Sequence, residues 1–285
     1  MKRTLALLLV AMLAVTVIFA GCGNTTDTST TSDVEAATVT EDGGKTLTVG
    51  FDAEFPPYGY KDKDGEYTGF DLDLAQEVCN RLGWELVKQP IDWDSKDMEL
   101  NSGTINCIWN GFTINGREDD YTWSKPYIDN SQVVVVNTDS DIKSLDDLAG
   151  KTVAVQSDSS ALAALAGDDV TDENKKLCAS FKELQQIPSY ETALLNLESG
   201  AVEAVCMDIG VANYKVADSD GKFTILSDQI STEQYAIGFK KGNEALRDIV
   251  EKTLMEMYED GTVANIANSK KEYAGLEDTI CLGND

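Results

Sequence analysis

The sequence predicts an α/β fold of two lobes joined by a two-strand hinge. Three observations carry that prediction. From residue 46 onward, strand-like and helix-like segments alternate, the pattern of sheets covered by helices. The stretch Leu100-Asn101-Ser102-Gly103-Thr104-Ile105-Asn106-Cys107 is echoed by Leu197-Glu198-Ser199-Gly200-Ala201-Val202-Glu203-Ala204. Each reads as a helix end, a glycine stop and a buried strand, as two similar lobes would repeat. Two strand-like runs, 132–137 and 235–240, are placed to leave the first lobe and to return to it.

Taken in order, the chain begins with an address. Lys2 and Arg3 precede an apolar run over 5–20, too short and wrongly flanked for a good membrane span. Residues 1–21 therefore read as a signal peptide. The run ends in Phe19-Ala20-Gly21-Cys22, small residues before a cysteine, which resembles a bacterial lipobox. Phe19 stands where Leu is usual. Cys22 would become the lipidated first residue of the mature chain, and a stable anchor needs more than one acyl group there. Residues 22–45 are rich in Thr, Ser, Asp and Gly, with almost nothing large and apolar. Burial cannot offset the ordering entropy of such a segment, so it reads as a flexible tether.

The first lobe is expected over 46–131 plus 236–285, and the second, with the hinge crossovers, over 132–235. Alternation of Leu47 and Val49 with polar residues predicts a strand over 46–52, ended by Phe55-Pro56-Pro57-Tyr58-Gly59, because proline lacks the ladder donor. Leu72, Ala75, Val78, Cys79 and Leu82 make one stripe, so 71–82 is a helix stopped by Gly83. A strand over 85–89, a short helix over 97–102 and a strand over 105–109 follow. In the second lobe, 144–148 is a short helix, 152–156 a strand, 160–166 an Ala-rich helix, 183–188 a strand, 191–199 a helix and 202–207 a strand. A helix over 244–259, ended by Gly261, returns to the first lobe. Such alternation predicts largely parallel sheets.

Composition excludes several functions. The formal net charge is −27, which argues against nucleic acid and anionic membrane surfaces as partners. The chain has no histidine, so the commonest general base and zinc ligand is missing. Five cysteines follow Cys22, at 79, 107, 178, 206 and 281, and none forms a Cys-x-x-Cys pair. No metal and no cofactor is expected. Cys107 and Cys206 lie in apolar runs and read as small core residues. Pairing of Cys178 with Cys281 is left open.

Residues 48–274 resemble the polar amino-acid solute-binding proteins of ABC importers, family 3, with the type II periplasmic-binding-protein fold of two Rossmann-like lobes. The resemblance rests on Val49-Gly50-Phe51-Asp52 with Phe55-Pro56-Pro57-Tyr58, and on Gly65-Glu66-Tyr67-Thr68-Gly69-Phe70-Asp71-Leu72-Asp73-Leu74. It continues through Asn110-Gly111-Phe112-Thr113-Ile114 with Arg117, then Trp123-Ser124-Lys125-Pro126-Tyr127. It closes with Leu145-Asp146-Asp147-Leu148-Ala149-Gly150-Lys151 and with Glu198-Ser199-Gly200 leading to Asp208. It implies extracytoplasmic binding of a free L-amino acid, delivery to ABC permease subunits by cleft closure, and a membrane reached only through the Cys22 lipid. It also implies a monomer that is not an enzyme.

The chemistry fits this implication residue by residue. By itself Arg117 reads either as a surface ion pair with Glu118, Asp119 and Asp120 or as a planar fork for a carboxylate; the resemblance selects the fork. Thr113 and Arg117 stand four positions apart, one fewer than usual in the family, so loop 114–116 must take a different path with the help of Gly116. Ser159 and Ser160 open a helix, where free N–H groups suit the same carboxylate and where serine also caps. Asp158 stands where relatives usually carry Gly. Asp208, after its strand, matches the acid that receives the ammonium. Thr113 and the backbone at Gly111 are expected to complete the polar contacts. Asp52, Phe55, Trp93 and Asn110 are expected to read the side chain, the two aromatic residues as a clamp. With Glu54, Asp92 and Asp94 nearby, this edge leans toward arginine, lysine or glutamine, while Trp109-Asn110 would also admit cystine. An amino-acid sensor is the alternative reading. A cyclohexadienyl-dehydratase-like enzyme on the same fold, using Glu54 or Asp94, is a further one.

Overall fold

The structure, a computed structural model, describes residues 38–39 and 45–283. The signal peptide, Cys22 and most of the tether lie outside the described residues.

Two sheets repeat one plan. In the first, Lys45–Phe51 runs parallel to Glu85–Pro90 on one side and to Cys107–Ile108 on the other. Gly238–Phe239 then pairs antiparallel with Cys107–Ile108, and Thr122–Trp123 pairs antiparallel with Gly238–Phe239. In the second, Thr152–Gln156 runs parallel to Glu183–Ile187 and to Ala204–Asp208. Ile128–Asn137 pairs antiparallel with Ala204–Asp208, and Phe223–Tyr235 forms the edge. Each lobe thus has three parallel strands, its first in the middle, followed by antiparallel ones. This corrects the largely parallel sheets expected from alternation. A chain that crosses to a second lobe and returns adds its crossing strands in the opposite sense.

Thr38–Val39 also departs from expectation. It lies in the stretch read as tether, yet pairs antiparallel with Lys45 and Thr46. Cys107–Ile108 takes only Val49 and Gly50 of that strand, which leaves its first residues free to pair.

The echoed stretches occupy equivalent places. Lys96–Ser102 ends at Gly103 with φ 81°, and Tyr190–Ser199 ends at Gly200 with φ 78°. Each helix feeds the third strand of its sheet. Only glycine adopts this left-handed cap without a steric cost.

The hinge is more extensive than the two runs suggested. Ile128–Asn137 begins four residues before 132, and the returning strand is Phe223–Tyr235. The two crossings pair with each other, Ile128 with Tyr235 and Asn130 with Glu233. The run over 235–240 is interrupted after Tyr235 and resumes as Gly238–Phe239 in the first sheet. Three helices carry no clear stripe and were not predicted: Asp172–Ser180, Ile209–Ala217 and Thr262–Ala267.

The apolar core falls into three clusters among the described residues. Leu47, Val49 and Phe51 are wholly buried in the first sheet, as are Val153, Ala154 and Val155 in the second. All five described cysteines are free thiols, so Cys178 and Cys281 are not paired. Burial pushes the Cys79 thiol up to about 12, which leaves it unreactive at neutral pH.

One buried acid makes stability depend on pH. Asp71, 0 % exposed, accepts hydrogen bonds at Oδ2 from Gly111 N at 2.6 Å and from the Tyr127 hydroxyl at 2.7 Å. Burial raises its carboxyl from 3.8 to about 7. The folded chain therefore keeps a proton there that the unfolded chain releases. The stability from this group is full below the ordinary value and is lost as pH rises through about 7. Urea unfolding between pH 4 and 7.5 should show that decline, and Asp71→Asn should lessen it. An unchanged slope in the variant would contradict the assignment.

Candidate ligand-binding site

The strand ends and loops between the sheets bring most of the predicted residues to one place. Phe55 comes from the Glu54–Phe55 strand of a small three-stranded sheet, and Trp93 from the 3-10 turn Trp93–Ser95. Gly111, Thr113 and Arg117 follow the strand Cys107–Ile108. From the second lobe come Ser159 and Ser160, at the start of the helix Ser160–Ala166, and Asp208, the last residue of the strand Ala204–Asp208. These eight residues, with Gln156, line a single cavity of ≈ 10 Å³. That holds about one water, so an amino acid can enter only after the lobes part.

Several bonds close the cleft. Gln156 Nε2 donates to Asp52 Oδ2 at 2.8 Å. Arg117 Nη2 donates to the Asp158 carbonyl at 3.1 Å, and its Nη1 to the Thr113 carbonyl at 3.3 Å. The Arg117 guanidinium also lies over the Phe112 ring, 5.4 Å from its centroid. Loop 114–116 turns at Gly116, at φ 77°, with Arg117 N donating to the Ile114 carbonyl at 2.9 Å. Phe55 stacks on Tyr190 with centroids 6.0 Å apart.

Asp158 holds a backbone conformation that suits Gly. Its φ is 56°, a left-handed conformation that few residues other than Gly, Asn and Asp adopt. Its carboxylate pairs across the cleft with Lys96, which is 1 % exposed. The opposite lobe thereby balances the charge of this carboxylate.

Four hydrogen bonds hold Asp208. Its Oδ1 accepts from the Tyr235 hydroxyl at 2.6 Å, from Gln132 Nε2 at 2.7 Å and from Asn130 Nδ2 at 2.9 Å. Its Oδ2 accepts from the Tyr190 hydroxyl at 2.9 Å. Although Asp208 precedes the helix Ile209–Ala217, its side chain does not cap that helix. The hydroxyls and amides divert it into the cavity. Ser159, in contrast, does cap: its Oγ accepts from Leu162 N at 3.2 Å.

Asp52 and Asn110 fall outside this cavity. Asp52 lines a neighbouring depression with Glu54, Asp92, Asp94 and Glu99, and Trp93 borders both spaces. Burial raises the Asp52 carboxyl above its ordinary value, opposed by the bonds from Glu54 N and Gln156. Asn110, 1 % exposed, accepts from Asp52 N at 2.9 Å and so positions that acid rather than facing the cavity. The Gly111 N–H, expected as a polar contact, is already donated to Asp71. Gly111 instead provides room: at φ 55°, an added Cβ would stand 2.7 Å from the Phe55 ring.

Sequence reasoning missed Gln156, Asn130, Gln132, Tyr190, Tyr235 and Glu233. A signal was present for some of them. Asn130 and Gln132 are polar residues leading into a run of four valines, and Gln156 ends an apolar strand. Glu233 lies in a polar stretch, 227–234, where nothing distinguishes it.

Two α/β lobes, a paired two-strand hinge and a polar cleft at the strand ends define the type II periplasmic binding fold. The chain belongs to the bacterial extracellular solute-binding proteins, family 3, whose profile matches residues 47–270. It is 30 % identical to the L-cystine-binding protein TcyA of Bacillus subtilis, over 93 % of this chain and 96 % of the relative. It is 29 % identical to the arginine-binding extracellular protein ArtP of the same organism, over 96 % and 99 %. A solved structure of an ABC uptake transporter substrate-binding protein from Streptococcus pneumoniae with bound histidine superposes with a TM-score of 0.75. It shares 31 % identity, covering 82 % of this chain and 94 % of that one.

Among the described residues no helix is long and apolar enough to cross a membrane, and no group of acidic or cysteine side chains could hold a metal ion.

Proposed function

We propose that the protein captures a free L-amino acid outside the cytoplasm and passes it to an ABC importer, acting as a monomer and catalysing no reaction. The observation that carries this reading is one cavity lined by opposite charges from opposite lobes. Arg117 comes from the first lobe, and Asp208 with the start of the helix Ser160–Ala166 from the second. A zwitterion presents a fixed carboxylate and a fixed ammonium, and each must find a partner when buried. Arg117, Thr113 and the helix start at Ser159 and Ser160, through the Ser160 N–H, take the carboxylate; Asp208 takes the ammonium. Phe55 and Trp93 flank the side chain.

Lobe 1 comprises 46–131 and 236–285, and lobe 2 comprises 132–235. The ligand bridges them and favours closure by its better binding to the closed form. Cys22 carries the lipid that holds the chain at the membrane. The acid-lined depression at Asp52 favours a polar or basic side chain, arginine, lysine or glutamine, and relatives that bind cystine keep that ligand within the class.

A thermal-shift screen of the chain lacking residues 1–22 against the common amino acids and cystine tests the reading. One or a few should raise the melting temperature in a concentration-dependent way. No shift with any of them would sink it.

A further inference from the structure

The acid matched to the ligand's ammonium is Asp208, and the structure sets a second acid beside it. Glu233, 6 % exposed, belongs to the returning hinge strand Phe223–Tyr235. Its Oε1 accepts from Asn130 Nδ2 and Gln132 Nε2, each at 2.7 Å, from Thr113 Oγ1 at 3.0 Å and from Ser160 Oγ at 3.3 Å. The same Asn130 and Gln132 nitrogens serve Asp208 Oδ1, so shared donors bridge the two carboxylates. The carbonyl ends of both amides, Asn130 Oδ1 and Gln132 Oε1, are buried and accept no hydrogen bond from the described residues. Turning either amide would set its oxygen against a carboxylate, so charge fixes the orientation. The two carboxylates thus meet at the same pair of amide nitrogens. The bonding partners of both carboxylates are neutral amides and hydroxyls, and a compact positive group with several N–H bonds would balance their charge.

We propose that Glu233 is a second anionic arm of the ammonium subsite and, with Asp208, makes a primary ammonium a requirement of the ligand. The proposal rests on the amino-acid-binding reading and adds a specificity-determining residue to it. Glu233 bonds Thr113 of one lobe and Ser160 of the other, so the arm is complete only when the lobes are closed.

A pH dependence follows from the surroundings. Facing Glu233 are Asp208, the hydroxyls of Tyr58, Tyr190 and Tyr235, and the neutral donors already named. Arg117 lies one step away, on the Thr113 carbonyl. Burial first, and the Asp208 charge second, hold the Glu233 carboxyl up to about 7. A ligand ammonium opposes the effect of Asp208 and favours the ionised form. The complex then holds fewer protons than the free protein. Binding releases a proton, and affinity rises as pH climbs through about 7.

Calorimetry at pH 7 in two buffers of different ionisation enthalpy tests this, with L-arginine, L-glutamine and L-cystine as probes. Whichever binds should release a measurable fraction of a proton. Glu233→Gln should abolish that release and weaken binding about tenfold. A buffer-independent heat in the native protein would overturn the proposal, and it needs no variant to fold. So would a Glu233→Gln protein with native affinity and native release. Failure of these three and of every other amino acid in the thermal-shift screen to bind would overturn the amino-acid reading and this proposal with it. Binding without proton release would overturn this one alone.

Discussion

Arg117→Ala is expected to weaken amino-acid binding by about 10²–10³-fold, because it leaves the ligand carboxylate buried without its charged partner. The fold should survive. Arg117 is only partly buried, and its protein contacts are two carbonyls and one aromatic face. Loss of these in a loop should cost no more than about 1 kcal/mol of stability. Calorimetry for affinity and urea unfolding for stability separate the two effects. Affinity within twofold of native would mean that the carboxylate is held elsewhere. Arg117→Lys should recover little, since an ammonium cannot reproduce the planar fork.

Asp208→Asn is the second large effect, about 10²-fold weaker binding through loss of the charge that meets the ammonium. This variant is informative because it keeps the shape of the site. The amide oxygen can still accept from Asn130, Gln132 and Tyr235, and the Tyr190 hydroxyl can turn to accept from the new amide nitrogen. Stability should therefore change little while binding falls. Removing the Asp208 charge also removes one of the two influences that raise the Glu233 carboxyl, so the pH at which affinity rises should move down. Native affinity with Asn at 208 would place the ammonium against another acid.

The periodic elements were the legible part of the fold. Helix 244–259 and strand 152–156 have the bounds expected from their stripes and punctuation. The Gly103 and Gly200 stops mark equivalent points in the two lobes from the sequence alone. The sense of the crossing strands was not legible, because strand direction depends on where the chain came from and not on its local residues. The helix Asp172–Ser180 was hidden for a related reason: only Asn174 is buried in it, so no apolar stripe exists to read.

In the cavity, the charged residues are legible in the sequence, and the neutral residues that hold them in place are not. Arg117 and Asp208 announce themselves by charge. Asn110 looks like a ligand contact in sequence, yet it supports Asp52 through the backbone N–H. Gln132 and Tyr235 become visible only when Ile128–Asn137 and Phe223–Tyr235 pair beside Ala204–Asp208. The role of Asp158 is tertiary and so not legible locally: Lys96 reaches it from the other lobe.

The central claim is that this cleft holds a zwitterion between Arg117 and Asp208. Calorimetric titration of the best-binding amino acid against two derivatives, one lacking the α-carboxylate and one lacking the α-ammonium, tests it most directly. The intact amino acid should bind tightly, and each derivative should bind at least about 10²-fold more weakly. A derivative without its ammonium or its carboxylate that binds as tightly as the amino acid would contradict the account.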